Sequence, residues 1–141
     1  MNKLIWAAVL LVAGGCATYG KGGGPQRMST GTSIPAAEGT VTFGKGGNGN
    51  ISIDLTVKYL APPQKLTPPS NSYVVWVRPN KDSQPQSIGA LTVDKNLNGT
   101  LKTVTALQSF ELFITAESSG QVQTPTGDPL LWTNYVWNDG K

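Results

Sequence analysis

The stretch Asn50–Leu60, NISIDLTVKYL, decides the fold of this 141-residue chain. Apolar residues alternate strictly with polar ones along it, and the apolar set is Ile51, Ile53, Leu55, Val57 and Tyr59. A period of two residues is typical of a β-strand with one buried and one solvated face. The pattern therefore predicts such a strand, with Tyr59 on the buried side.

Further short strands are predicted on both sides of this stretch. Gly39–Phe43 precedes it across the turn-forming residues Gly44–Gly49, so these two strands form a hairpin. Other strands are predicted at 73–78, 88–93, 100–105, 110–116 and 130–137. Residues 94–99 close a second hairpin between two of them. The proline-rich residues 61–72 cannot be a central strand and are predicted to be a long loop, as are residues 117–128.

These patterns predict an all-β domain. Seven or eight strands separated by turn residues, with no helical periodicity, favour a single antiparallel, immunoglobulin-like β-sandwich at residues 34–141. Tyr73–Arg78, YVVWVR, is almost wholly apolar, which predicts a strand buried on both faces. Trp76, Phe110 and Phe113, together with Tyr73, are assigned to the sandwich core rather than to a ligand platform.

The N-terminus has the layout of a secretory signal. Lys3 supplies a positive charge, residues 4–13 (LIWAAVLLVA) are apolar, and two glycines precede Cys16. Ten apolar residues are too few to cross a bilayer, which takes about 20. Val12–Cys16, VAGGC, resembles the lipobox of bacterial lipoproteins, although Ala13 stands where Leu or Val is usual.

The lipobox resemblance implies a division of the chain. Residues 1–15 are then a cleaved signal peptide, and Cys16 is the lipid-attachment site, carrying diacylglycerol and a further acyl chain such as palmitate. Residues 16–33 hold the lipidated cysteine and a glycine-rich, flexible tether. The membrane is therefore the expected partner and the bacterial envelope the expected location, facing the periplasm or the exterior. Ala17 favours the outer membrane.

Motifs in the domain resemble a second family. The segments are 73–77 (YVVWV), 88–91 (IGAL), 110–117 (FELFITAE) and 124–127 (TPTG), and they are similar to the extracytoplasmic C-terminal domain of anti-sigma-K-type factors. The resemblance implies a β-sandwich outside the membrane. It does not extend to the sigma-binding region or transmembrane helix of that family, so anti-sigma activity is not implied.

Composition narrows the possible chemistry. The chain has no histidine and only one cysteine, Cys16, which removes the commonest general base and the usual zinc ligands. Loss of Lys3 with the signal reduces the 11 basic residues to 10, which against 8 acidic residues gives a net charge of +2. The basic residues are not clustered as they are in a nucleic-acid-binding site. No cofactor, metal or catalytic residue is assigned. The carboxylates are spread singly, at Glu38, Asp54, Asp82, Asp94, Glu111, Glu117, Asp128 and Asp139.

Two local patterns admit a functional interpretation. Asp94-x-Asn96-x-Asn98-Gly99 matches the opening of a calcium loop, but Thr105 occupies the position of the closing glutamate, so a plain turn is favoured. Trp132, Tyr135 and Trp137 could form a binding surface. Strand geometry puts Trp132 on one face and the other two on the opposite face, and packing is favoured.

Two classes of function follow. The first is a membrane-anchored envelope lipoprotein whose non-catalytic sandwich binds or scaffolds another envelope component. The second is a cell-surface carbohydrate-binding module, or a hydrolase that uses a pair of carboxylates in a cleft.

Overall fold

Strands dominate the structure, a computed structural model that describes residues 24–137. They are β1 (Gln26–Arg27), β2 (Ser29–Thr30), β3 (Glu38–Lys45), β4 (Ile51–Lys58), β5 (Ser72–Arg78), β6 (Gln86–Ala90), β7 (Thr92–Val93), β8 (Gly99–Thr105), β9 (Ser109–Glu117) and β10 (Leu131–Val136). Two single turns of 3₁₀ helix, Gly47–Gly49 and Pro63–Lys65, lie between them. Within the described residues, no helix has the length and apolar character needed to cross a bilayer.

The strands form two antiparallel sheets of five strands each. Their orders are β1-β3-β4-β8-β7 and β2-β10-β9-β5-β6. Without β1 and β2, each sheet has four strands in the immunoglobulin-like arrangement. The predicted all-β sandwich is therefore confirmed.

The two ends of the sandwich differ. At the turn end, Lys45 is paired with Ile51 and Ile51 with Thr105, and the short connection from β8 to β9 joins the two sheets. Gln108 closes this end, because its Nε2 donates to the Gly49 carbonyl at 2.9 Å. The opposite end, where β4 and β9 finish, is called the groove end below.

The alternation in β4 is confirmed from Ile51 to Val57. These four apolar side chains are at most 1% exposed and face the second sheet, where Leu112 and Ile114 of β9 are equally buried. Toward the turn end, the core is aromatic. The rings of Phe43, Phe110 and Tyr135 lie 4.4 to 5.7 Å apart between centroids.

Trp76 and Phe113 are buried, but not between the sheets. With Val74 they form a separate cluster on the outer face of the second sheet, against Val122 of the loop that follows β9. The prediction that both residues lie in the core between the sheets is therefore wrong, because their side chains lie on the outer face of the second sheet. Because β5 is covered on both sides, its predicted two-sided burial is confirmed.

The N-terminal strands begin before residue 34, where the sequence placed the start of the domain. β1 pairs with β3 and β2 with β10, so this short segment lies along both sheets, and Met28 between them is only 8% exposed.

Further along the chain, residues 88–93 do not form one strand. The chain crosses between sheets at the buried Leu91, so that β6 and β7 belong to different sheets. The proposed signal peptide, Cys16 and residues up to 23 lie outside the described residues.

Candidate binding groove

A groove of about 980 Å³ opens at the groove end. Its walls come from four segments: 33–37 before β3, 59–70 after β4, 116–118 at the end of β9, and 126–130 before β10. Small-molecule sites usually enclose about 300 to 1,000 Å³, so the groove has room for a sizeable ligand.

Tyr59 is the exposed aromatic residue of this groove. The sequence placed it on the buried face of β4, but the strand ends at Lys58 and Tyr59 has a φ of 57°. This left-handed conformation turns the chain so that Leu60 enters the core with no exposed surface, and the Leu60 N–H donates to the Leu97 carbonyl at 2.9 Å. The Tyr59 side chain is left 60% exposed.

The long loop after Tyr59 is fixed to the sandwich by hydrogen bonds. The buried Tyr73 hydroxyl donates to the Ala61 carbonyl at 2.5 Å, and burial raises the pKa of Tyr73 to about 12. The Ser70 N–H donates to the Pro63 carbonyl at 2.9 Å. Where the loop rejoins the sheet, the Asn71 N–H donates to the Glu117 carbonyl at 2.9 Å. The groove wall is therefore anchored at several points.

Glu117, the last residue of β9, is a buried carboxylate at the groove wall with only 1% exposure. The Thr115 hydroxyl donates to its Oε2, and the Thr126 hydroxyl donates to its Oε1, both at 2.5 Å. The Thr126 N–H donates to both carboxylate oxygens, at 3.0 and 3.2 Å. Trp76 Nε1 in turn donates to the Thr115 hydroxyl at 2.9 Å. Among residues 24–137, no lysine or arginine nitrogen lies within 4.0 Å of Glu117.

Hydrogen bonding keeps this carboxylate ionised. Burial raises the pKa of Glu117, but bonds from Thr115, Thr126 and the Gly127 backbone outweigh burial and leave the pKa below its ordinary value. A carboxylate with a lowered pKa and occupied oxygens is poorly suited to donate a proton or attack a substrate. Glu117 and Asp128 both line the groove, yet Glu117 has the properties of a structural anion rather than of a hydrolase acid.

The Asp94 motif is a turn stabilised by its own side chain. Asp94 Oδ1 accepts the backbone N–H groups of Asn96 at 2.9 Å and Asn98 at 3.0 Å. The left-handed residue of the turn is Leu97, with a φ of 65°. In the described part of the chain, no three Asp, Glu, His or Cys side chains are grouped so that they could hold a metal ion.

The three C-terminal aromatic residues do not form one surface. Tyr135 belongs to the core, and Trp137 packs partly against that core while Lys45 Nζ lies 4.8 Å from its ring centroid. Trp132 lies on the outer face of the second sheet, 37% exposed. The predicted separation of Trp132 from Tyr135 is confirmed.

Sequence reasoning assigned no role to Tyr59 or to Glu117. The period of two continues through Tyr59, so nothing in the pattern indicates the reversal there, and Glu117 was placed in a loop. No protein-family model matches the chain, and no curated protein is similar to it in sequence.

Proposed function

We propose that this protein is an envelope lipoprotein, anchored through lipid on Cys16, whose non-catalytic sandwich binds another envelope component in the groove. The observation that carries the proposal is the direction of β1, which enters the sandwich from the side of the turn end, whereas the groove opens at the opposite end. β1 runs antiparallel to β3, and β3 runs from the groove end to the turn end. β1 therefore runs from the turn-end side toward the groove end, with Gln26 opposite Val41 in the middle of β3.

The tether length sets how far the domain can lie from the membrane. Gln26 follows Cys16 by ten positions, and a fully extended chain of that length reaches about 35 Å at most. A strand of eight residues such as β4 spans about 27 Å. An anchor at Cys16 thus keeps the domain within about 35 Å of the lipid surface, and the direction of β1 favours an orientation in which the turn end is nearer to the lipid than the groove.

The chemistry of the groove supports binding rather than catalysis. Its buried carboxylate, Glu117, already accepts hydrogen bonds on both oxygens. The chain offers no histidine as an alternative general base. A concave site with a few polar groups and an exposed ring at its wall is typical of a binding module.

Site-specific crosslinking in cells tests the proposal. A photoreactive phenylalanine analogue at position 59 should form a higher-mass adduct in the membrane fraction. The matched control is position 48, because Asn48 is also exposed and left-handed (φ 58°) but lies in the turn-end hairpin. Adducts at both positions, or at neither, would contradict a groove-specific partner. Digestion of the adduct with a protease or with a muramidase then shows whether the partner is protein or cell-wall glycan.

A further inference from the structure

We infer that the groove takes an uncharged saccharide, with the Tyr59 ring as its stacking surface. The inference rests on the proposed function, because it names the ligand of the same groove. The left-handed backbone at position 59 favours glycine or asparagine, yet the residue present there is tyrosine.

The fold requires the turn at Tyr59 but not its ring. The left-handed conformation brings Leu60 into the core beside Gly99, where a Cβ on the glycine would lie 2.9 Å from Leu60 Cδ2. Glycine or asparagine adopts this conformation at lower cost than a bulky residue, which is an outlier there. Because the Tyr59 side chain is 60% exposed, it also contributes little burial to the folded state. A strained and exposed aromatic residue is typical of a functional position.

The other exposed groups of the groove indicate the class of ligand. Lys65 and Asp128 contribute one positive and one negative exposed charge. The third charge, the Glu117 carboxylate, is 1% exposed and accepts hydrogen bonds on both oxygens, so the exposed surface of the groove has no net charge. Ser33, Thr67 and Ser70, which carry hydroxyl groups, line the same space. Such groups both donate and accept hydrogen bonds, as saccharide hydroxyls do. An exposed ring beside them suits the apolar face of a pyranose.

Two substitutions separate the ring from the backbone. Tyr59→Asn removes the ring and suits the left-handed conformation, whereas Tyr59→Phe keeps the ring. The probes are chitotetraose and maltotetraose, titrated into the mature lipidated protein and followed by calorimetry. The detergent must lack a sugar headgroup, because such a headgroup would compete for the groove.

We expect at least one of the two saccharides to bind the unaltered protein. Tyr59→Asn should weaken that binding by about tenfold, the upper end of the scale for loss of one aromatic contact. Tyr59→Phe should stay within about threefold. The melting temperature of Tyr59→Asn should equal or exceed that of the unaltered protein, because the strain is relieved.

Three results would overturn the inference. If neither saccharide binds while position 59 crosslinks to a protein, the ligand class is wrong and the proposed function stands. If neither saccharide binds and no adduct forms, both are wrong. If Tyr59→Asn lowers the melting temperature by many degrees, the ring serves folding and the premise fails.

Discussion

Glu117 illustrates how a single residue can connect two parts of this molecule. Its side chain accepts from Thr126 in the loop before β10 and from Thr115, which accepts in turn from Trp76 in the outer cluster. The loop after β9 covers that cluster through Val122. One ionised carboxylate therefore helps to hold both the groove wall and the cover over the outer face of the sheet.

Replacing Glu117 by glutamine should destabilise the protein by about 2 to 3 kcal/mol. A neutral amide oxygen cannot accept all the donors, and bonds to a charged group contribute about 1.5 to 3 kcal/mol. Urea unfolding followed by tryptophan fluorescence measures the change. Asp54→Asn is the control, because its contact with Lys102 is exposed and long at 3.9 Å, and the free energy of unfolding should hardly change. Equal effects of the two substitutions would contradict the buried network.

Glu117 should also make the free energy of unfolding depend on pH. Because the folded-state pKa of Glu117 lies below its ordinary value of 4.5, the unfolded chain takes up this proton first as the pH falls. The stabilisation is complete above pH 4.5 and is lost as the pH falls through the folded-state pKa. Unfolding free energies measured from pH 7 down to pH 3 should therefore converge for the unaltered protein and Glu117→Gln. A constant gap between the two curves would show that the charge is not responsible.

At the scale of elements, the sequence correctly predicted the strands, because their positions depend on the local alternation of apolar and polar residues. Ile51–Val57 alternates as expected, and the strands near β3, β5, β8, β9 and β10 were located to within a few residues. The alternation failed at Tyr59 because a single left-handed residue reverses it. Trp76 is buried on the outer face of its sheet because a loop distant in sequence, which includes Val122, packs over it, and no local pattern reveals that contact. The groove is formed by four separate segments of the chain, so local sequence patterns could not predict it either.

The Asp94 turn offers a test at this scale. Asp94→Ala should lower the free energy of unfolding by about 1 kcal/mol, because two backbone donors lose their acceptor. Excess calcium, compared with excess chelator, should leave the melting temperature of the unaltered protein unchanged. A ligand stabilises only in proportion to its preference for the native state. A calcium-dependent rise of several degrees that Asp94→Ala abolishes would make Asp94, Asn96 and Asn98 calcium ligands.

The N-terminal strands should also prove to be part of the domain. A chain that starts at Ile34 lacks β1, β2 and the buried Met28, and it exposes the edges of β3 and β10. Loss of the Met28 burial alone is worth about 2 kcal/mol, so we expect a melting temperature lower by roughly 10 °C and a tendency to aggregate. The control is a chain that starts at Pro25. Equal melting temperatures would show that these strands contribute nothing.

At the scale of the whole molecule, the proposal requires a lipid anchor. Cys16→Ser should leave the domain folded but move it out of the membrane fraction, either as soluble protein or as uncleaved precursor. Fractionation with an antibody to the domain measures the distribution, and metabolic labelling with a palmitate analogue reports the lipid itself. Lys21→Ala, outside both the signal and the lipobox, serves as the control and should retain labelling. A Cys16→Ser protein that still fractionates as a processed membrane protein would rule out this anchor.

The path of the N-terminal segment has a mechanical consequence. If lipid on Cys16 anchors the chain to the membrane and a bound ligand holds the groove, a force that separates the two acts along the strands. The hydrogen bonds that join β1 to β3 and β2 to β10 lie across that direction. Gln26 adds two more, from its Nε2 to the Thr133 hydroxyl and to the Asn134 carbonyl. A pull on the tether therefore loads these bonds together, in shear, instead of peeling them apart one after another.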